Sequence, residues 1–193
     1  MKKVVLDDLM GLAAYERARP QFCQEMIEYK KNRRLPVGDR VSLVFENRKT
    51  AIFQIQEMIR AERITDLDKI KEEIEVYDSL IPEQDELSAT LLIEIEDQAK
   101  IREELLKFLG IDETVYLRIG KQYNIQAVFE KGRSKEDKIS AVQYIRFPFG
   151  PEARAAFIAG QGDILFSIRH PHYQAEARIG EEMRQSLIQD LTE

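Results

Sequence analysis

The sequence predicts a two-layer α+β domain with a mainly antiparallel sheet of five or six strands packed by helices. Three observations carry that reading. Period-two apolar runs at 41–46, 87–96 and 139–147 read as strands. Amphipathic helical runs are interspersed among them without strict β-α-β alternation. Late strands follow one another closely enough to pair antiparallel, with a tight turn at Gly120-Lys121.

The stretch VSLVFENRKTAIFQIQEMIRAERI, residues 41–64, organises the chain. Val41, Leu43 and Phe45 alternate with Ser42, Val44 and Glu46, the pattern of a half-buried strand. Asn47 suits a helix N-cap, because its side chain accepts from an orphan N–H of the first turn. The helix continues to about Ile64. Ala51, Ile52, Ile55, Met58 and Ile59 form its apolar stripe. Arg48 and Glu62 stand at the two ends of that stripe, where a helix used only for packing rarely carries charge. A buried charge needs a partner. Both residues therefore bond to neighbouring segments at the rim, or Glu62, with Glu57 or Glu46, lines a polar or metal-binding pocket.

The N-terminal part, 1–36, is expected to form a helical hairpin. A first helix spans 6–18, and Arg19-Pro20 breaks it, since the residue before proline is pushed out of the helical region. Pro20 opens a second helix to about Arg33, ending in the basic run Lys30-Lys31-Asn32-Arg33-Arg34. Those cations complement the negative end of the helix dipole, or offer an anion site. Pro36 and Gly38 turn the chain into the α+β body at 37–193. Beyond the central helix, Thr65 or Asp66 restarts a helix to about Tyr77 with Leu67, Ile70 and Ile74 inward, closed by Leu80-Ile81-Pro82. Asp97 caps a helix to Leu109, and Gly110 stops it in a left-handed conformation. Strands at 114–119 and 124–130 form a hairpin. In the strand 139–147, Gln143 is a lone amide on an apolar face, a satisfied core residue or a ligand contact. Pro151 opens a helix to Ala159, 163–169 is the last strand, and a final helix spans 180–191.

Composition bounds the function classes. The chain has 193 residues, enough for a single domain with a proper core, and a net charge of -6, so general affinity for nucleic acid is not expected. One cysteine, Cys23, excludes an internal disulfide framework and a cysteine-based metal site within one chain. Acidic residues Asp7 and Asp8 follow the opening lysines, unlike a signal peptide, and no apolar run approaches a membrane span. A cytoplasmic protein is the expectation. No phosphate-binding glycine loop, dinucleotide fingerprint or nucleophile elbow is present. The two histidines, His170 and His172, point the same way in an extended segment and could face one ion, given carboxylates such as Glu57 or Glu62 from elsewhere.

Several stretches together resemble a bacterial family catalogued as domain of unknown function 3501. They are DDLM, YKKNRR, FENR…QIQEMIRAERI, LIP, ATLLIE, EDK-SAV-Y-RF and HP-Y. The resemblance spans nearly the whole chain and brings no activity with it. It implies a redox or oxidative-stress setting beside rubrerythrin-like and heterodisulfide-reductase-like iron–sulfur proteins. The matching polar positions are Arg33, Glu46, Arg48, Gln54, Gln56, Glu57, Arg60, Glu62, Arg63, Asp137, Lys138, Ser140, Arg146, His170 and Tyr173. Some relatives are expected to carry histidine at the place of Gln143, and His172 lies outside the resemblance; both departures weigh against a metal site there.

The functional expectation is a binding or accessory protein in a redox or iron-related pathway. Its pocket would be lined by Arg48, Glu57, Glu62, Arg146 and His170, with Tyr173 beside them, and would hold a small anion, a metal or a partner's side chain. No cofactor is required, although a metal held by His170 and Glu62 would instead make an enzyme. A third expectation is a structural adaptor that offers the basic segment 30–34 to an iron–sulfur or rubrerythrin-like partner.

Overall fold

A computed structural model describes residues 1–132, 134, 135 and 138–192. Asp137 lies outside them. The α+β class holds, and every strand pairing is antiparallel. The strands are β1 (Arg34–Val37), β2 (Val41–Glu46), β3 (Glu86–Ile93), β4 (Val115–Ile119), β5 (Tyr123–Gln126), β6 (Val128–Phe129), β7 (Ser134–Lys135), β8 (Lys138–Ile139), β9 (Val142–Pro148), β10 (Ile164–His170) and β11 (Tyr173–Arg178). The helices are α1 (Leu12–Lys31), α2 (Arg48–Glu62), α3 (Leu67–Asp78), α4 (Ile101–Leu106), α5 (Pro151–Ala159) and α6 (Glu181–Thr192).

The single expected sheet is two, beside a two-stranded ribbon of β7 and β8. A five-stranded sheet has the order β1-β2-β3-β9-β6, and a four-stranded sheet the order β11-β10-β4-β5. The chain switches sheets within the expected strand 124–130: β5 pairs with β4, and β6 crosses to β9. The two inner faces share one apolar core. Leu43, Phe45, Leu87, Ala89, Leu91 and Phe147 of the larger sheet meet Val115, Leu117, Phe166 and Ile168 of the smaller. Phe147 and Phe166 touch edge to face at 6.1 Å. Helices α5 and α6 contribute Phe157 and Leu187 to the same core.

The N-terminal hairpin does not form. One helix, α1, runs straight through Pro20. Proline there removes one helical hydrogen bond and crowds the preceding turn, and packing on either side of it holds the helix together. Tyr15 is fully buried and stacks edge-on with Phe22, which meets Phe53 of α2. Arg19, immediately before the proline, makes a two-pronged bond to Glu57 at 2.7 and 2.8 Å. Pro36 lies in β1, which is an edge strand, where a missing N–H does no harm. The turn that follows needs glycine. Gly38 has φ +71°, and a Cβ there would stand 2.4 Å from the Tyr173 hydroxyl.

On the outer face of the larger sheet sit α1, α2 and α3 with a second, smaller core of Val4, Ala51, Ile55, Ile59, Ile64, Ile74 and Ile81. Strand β2 is therefore buried on both faces, not one. The expected caps are present. The Asn47 side chain accepts from Thr50 N–H, and the Thr50 hydroxyl accepts from Asn47 N–H. Asp66 caps α3 by accepting from Asp68 and Lys69. Asp97 caps only a short 3-10 turn that leads into α4, which ends at Leu106 and not at Leu109; Gly110, with φ +87°, lies beyond that end and precedes a further 3-10 turn. Three strands escaped the sequence reading: β1, where a turn was expected, β7 and β11. β11, with the pattern YQAEAR, alternates burial but has few strong strand formers.

Candidate functional site

The sequence-predicted residues do not gather in one pocket. Arg48, half-buried at the start of α2, pairs with Asp8 of the N-terminal segment. Glu57 lies between α1 and α2, bonded to Arg19 and to the Tyr15 hydroxyl at 2.8 Å. The Arg19 hydrogen bond, supported by Tyr15 and nearby Arg60 against the effect of burial, holds the Glu57 carboxyl down at about 2. Burial, then the same hydrogen bond to Glu57, pushes the Tyr15 hydroxyl up. Glu62 is exposed at the C-terminal end of α2. Arg146 projects from the outer face of β9 and pairs with Glu86, with the carbonyls of Ser79 and Ile81 also in reach.

His170 and Tyr173 flank the β10–β11 turn. His170 is buried; its Nε2 stands 2.8 Å from the Leu109 carbonyl oxygen, and its Nδ1 accepts from His172 N–H at 3.3 Å. Both ring nitrogens are thus engaged, which leaves no lone pair for an ion in this arrangement. Tyr173 donates to the Val37 carbonyl at 2.5 Å and accepts from Arg40 N–H, tying the smaller sheet to the β1–β2 turn. Among the described residues no group of three His, Cys, Asp or Glu side chains is placed to hold a metal. The core amide Gln143 donates to the Ser140 carbonyl at 2.8 Å. The basic segment is also dispersed. Lys30 lies over the Phe53 ring, Lys31 pairs with Glu28, and Arg33 is fully buried.

A different place has the shape of a site. A cleft of about 590 Å3 opens where the N-terminal segment, α1 and the start of α2 meet. Met1, Met10, Phe22 and Ile52 give it apolar walls; Tyr29, Asn47, Arg48 and Lys49 give it a polar end. Asp8, which pairs with Arg48, completes the lining together with Gln56 and Gln189. That end rests on a buried network. Arg33 donates to the carbonyls of Phe45 and Glu46, to the Ser186 hydroxyl at 3.0 Å, and pairs with Asp190 of α6. Asn47 donates to Asp190 at 2.9 Å and to the Tyr29 hydroxyl at 2.6 Å. A buried pair keeps its charges only when the remaining lone pairs and protons are satisfied, and this network does that.

Two groups at the cleft are left with capacity. The Tyr29 hydroxyl accepts from Asn47 and, at 3.5 Å, from Arg33, and has no acceptor for its own proton among the described residues. A hydroxyl that accepts hydrogen bonds is a better donor for its own. The Lys49 ammonium lies 4.3 Å from the centre of the Tyr29 ring and meets no carboxylate among the described residues. A donor and a cation converging beside apolar walls suit an anionic group on an apolar body. Sequence reasoning found Arg48 and Asn47 here but missed Tyr29 and Lys49. Tyr29 stands one helical turn before Arg33, the only sequence signal that joins them, and nothing local marks Lys49.

The comparisons agree on kinship and give no activity. The family model described as "Protein of unknown function (DUF3501)" matches residues 3–191. A crystal structure of a novel protein of unknown function from Burkholderia pseudomallei K96243 is 34% identical, with a TM-score of 0.92. The alignment covers 98% of this chain and 100% of that one. No curated protein matches the chain. With a match across nearly its whole length, this chain belongs to the DUF3501 family.

Proposed function

We propose that this is a binding or accessory protein whose ligand seat is the cleft at the start of α2, and that the ligand presents an anionic group to Lys49 and Tyr29. The observation that carries the reading is the pairing of an unneutralised Lys49 ammonium with a Tyr29 hydroxyl whose proton has no acceptor among the described residues, at the polar end of an apolar cleft. Arg48 adds a second cation, already shared with Asp8. The ligand's apolar body lies against Met10, Phe22 and Ile52. A redox or iron-related setting, with an iron–sulfur or rubrerythrin-like partner, is supported by the sequence resemblance alone. A cytoplasmic location belongs to the same reading; no helix among the described residues is long and apolar enough to cross a membrane.

The test is a fluorescence titration with 8-anilinonaphthalene-1-sulfonate, an aromatic anion. Binding to the wild-type chain should weaken at least tenfold in Lys49→Glu, and stay within twofold in Lys31→Glu, a control on the exposed end of α1. Equal affinity for the wild type and Lys49→Glu would sink the proposal.

A further inference from the structure

The cleft holds a negative charge of its own. Its charged side chains are Lys49, Arg48 and Asp8. Asp8 pairs with the Arg48 guanidinium and, through the same oxygen, accepts from Val5 N–H at 2.8 Å. The Val5 N–H bond first, and then Arg48, hold its carboxyl below the usual carboxylate range, so it is charged at neutral pH. The backbone keeps it in place. Leu6–Asp8 form one 3-10 turn, closed by bonds from Asp8 N–H to the Val5 carbonyl and from Leu9 N–H to the Leu6 carbonyl. On one side of that turn Val4 is buried, and its N–H donates to Asp78 of α3 at 3.0 Å. On the other, Gln56 accepts from Met10 N–H at 2.5 Å and donates to the Met10 carbonyl at 3.2 Å. The arc that carries Asp8 is tied down at both ends, which makes its carboxylate a fixed part of the cleft wall.

We propose that Asp8 is a specificity-determining residue, which limits the cleft to ligands whose anionic group carries a single charge. This rests on the reading of the cleft given above and adds the ligand's charge class: a monoanion such as a carboxylate or a sulfate ester, and not the dianion of a phosphate monoester. The reason is a balance of charge. Asp8 answers Arg48, so of the two cations only Lys49 is left for the ligand. Attraction to that cation grows in proportion to the ligand's charge, whereas the cost of taking charge out of water grows as its square. A second negative charge therefore adds more cost than gain until a second cation is freed. The three side chains are close enough to act on one ligand. A round space of 590 Å3 is about 10 Å across, within about one Debye length at 0.1 M salt.

The experiment measures displacement of the anilinonaphthalene sulfonate by octyl sulfate and octyl phosphate, each below its micellar concentration, at low ionic strength and about pH 8. The two probes share a tail and a tetrahedral head and differ by one charge, since a phosphate monoester is close to doubly ionised there. The wild type should bind octyl sulfate the tighter. Asp8→Asn keeps an oxygen for Val5 N–H but frees Arg48, and should shift the ratio of affinities about tenfold toward octyl phosphate. That is the size of one charge–charge interaction across about 10 Å at an effective dielectric constant of about 20. Arg48→Gln leaves Asp8 unanswered and should shift the ratio as far the other way. A pair that only braces the fold would change both affinities alike and leave the ratio where it was. A wild type that prefers octyl phosphate, or a ratio that either substitution leaves unmoved, would overturn the charge limit while leaving the cleft intact. Displacement indifferent to Lys49→Glu would overturn the cleft reading and this one with it.

Discussion

The two faces of the larger sheet are built on opposite principles. Its inner face meets the smaller sheet through aliphatic and aromatic side chains, with Gln143 bonded within its own strand region. Its outer face, although also covered, carries Ser42, Glu46, Ser88 and Thr90, all buried, with Arg146 beside them. Glu46 there accepts from Thr90 at 2.7 Å and Gln54 at 3.2 Å, and its second oxygen has no partner among the described residues. The inner contact is held by exclusion of water and close packing. On the outer side the bond from Gln54 to Glu46 fixes how α2 sits on β2, beside the helical layer's own apolar core, and contributes little net free energy by itself. The helical layer is thus the positioned part of the molecule and the sandwich its stable part. The cleft lies in the helical layer.

The largest expected effect belongs to the inner core. Phe166 is fully buried between the sheets, and Phe166→Ala should lower unfolding free energy by about 3–5 kcal/mol in a urea titration. A loss below about 1 kcal/mol would mean that the sheets do not share one dry core.

The buried pair under the cleft gives a comparable but conditional effect. Asp190→Ala leaves the Arg33 guanidinium buried without its counter-charge and should cost about 3–5 kcal/mol, whereas Arg33→Met with Asp190→Leu should recover most of it. Equal losses in the single and double variants would show that hydrogen bonds to the Phe45 and Glu46 carbonyls, rather than charge, dominate there.

The smallest effect is pH-dependent. Glu57 has its folded value depressed from 4.5 to about 2 by Arg19. Its contribution is therefore present above the unfolded value and lost as pH falls through the folded one. The denaturant midpoint of the wild type should exceed that of Glu57→Gln above about pH 5, and the gap should close by about pH 2. A gap that persists at the acid end would show that the Tyr15 contact, not the Arg19 charge, matters at that position.

Much of this architecture was legible along the chain, and the misses share a cause. Asn47 and Asp66 are caps because a short polar side chain beside a helix start satisfies local N–H groups. Gly160 stops α5 because only glycine adopts φ > 0 without cost. These need only near neighbours. Pro20 was misread as a break because its local penalty is overruled by the Tyr15, Phe22 and Arg19 contacts to α2. The number of sheets was misread because a period-two pattern states which residues point inward and not which strand lies beside which. The same limit scattered the expected site. Arg48, Glu57 and Arg146 are each answered by a different segment, Asp8, Arg19 and Glu86.

The sequence by itself determined most element types, the caps at Asn47 and Asp66, the antiparallel class and the family, because each of these is written in spacing, in local hydrogen bonding or in motif. The tertiary structure alone decided that two sheets share the core, that Arg33 meets Asp190 across 157 positions, and that Tyr29 and Lys49 face one cleft. Those are long-range pairings, and their free energy depends on desolvation and on partners that no window of sequence contains.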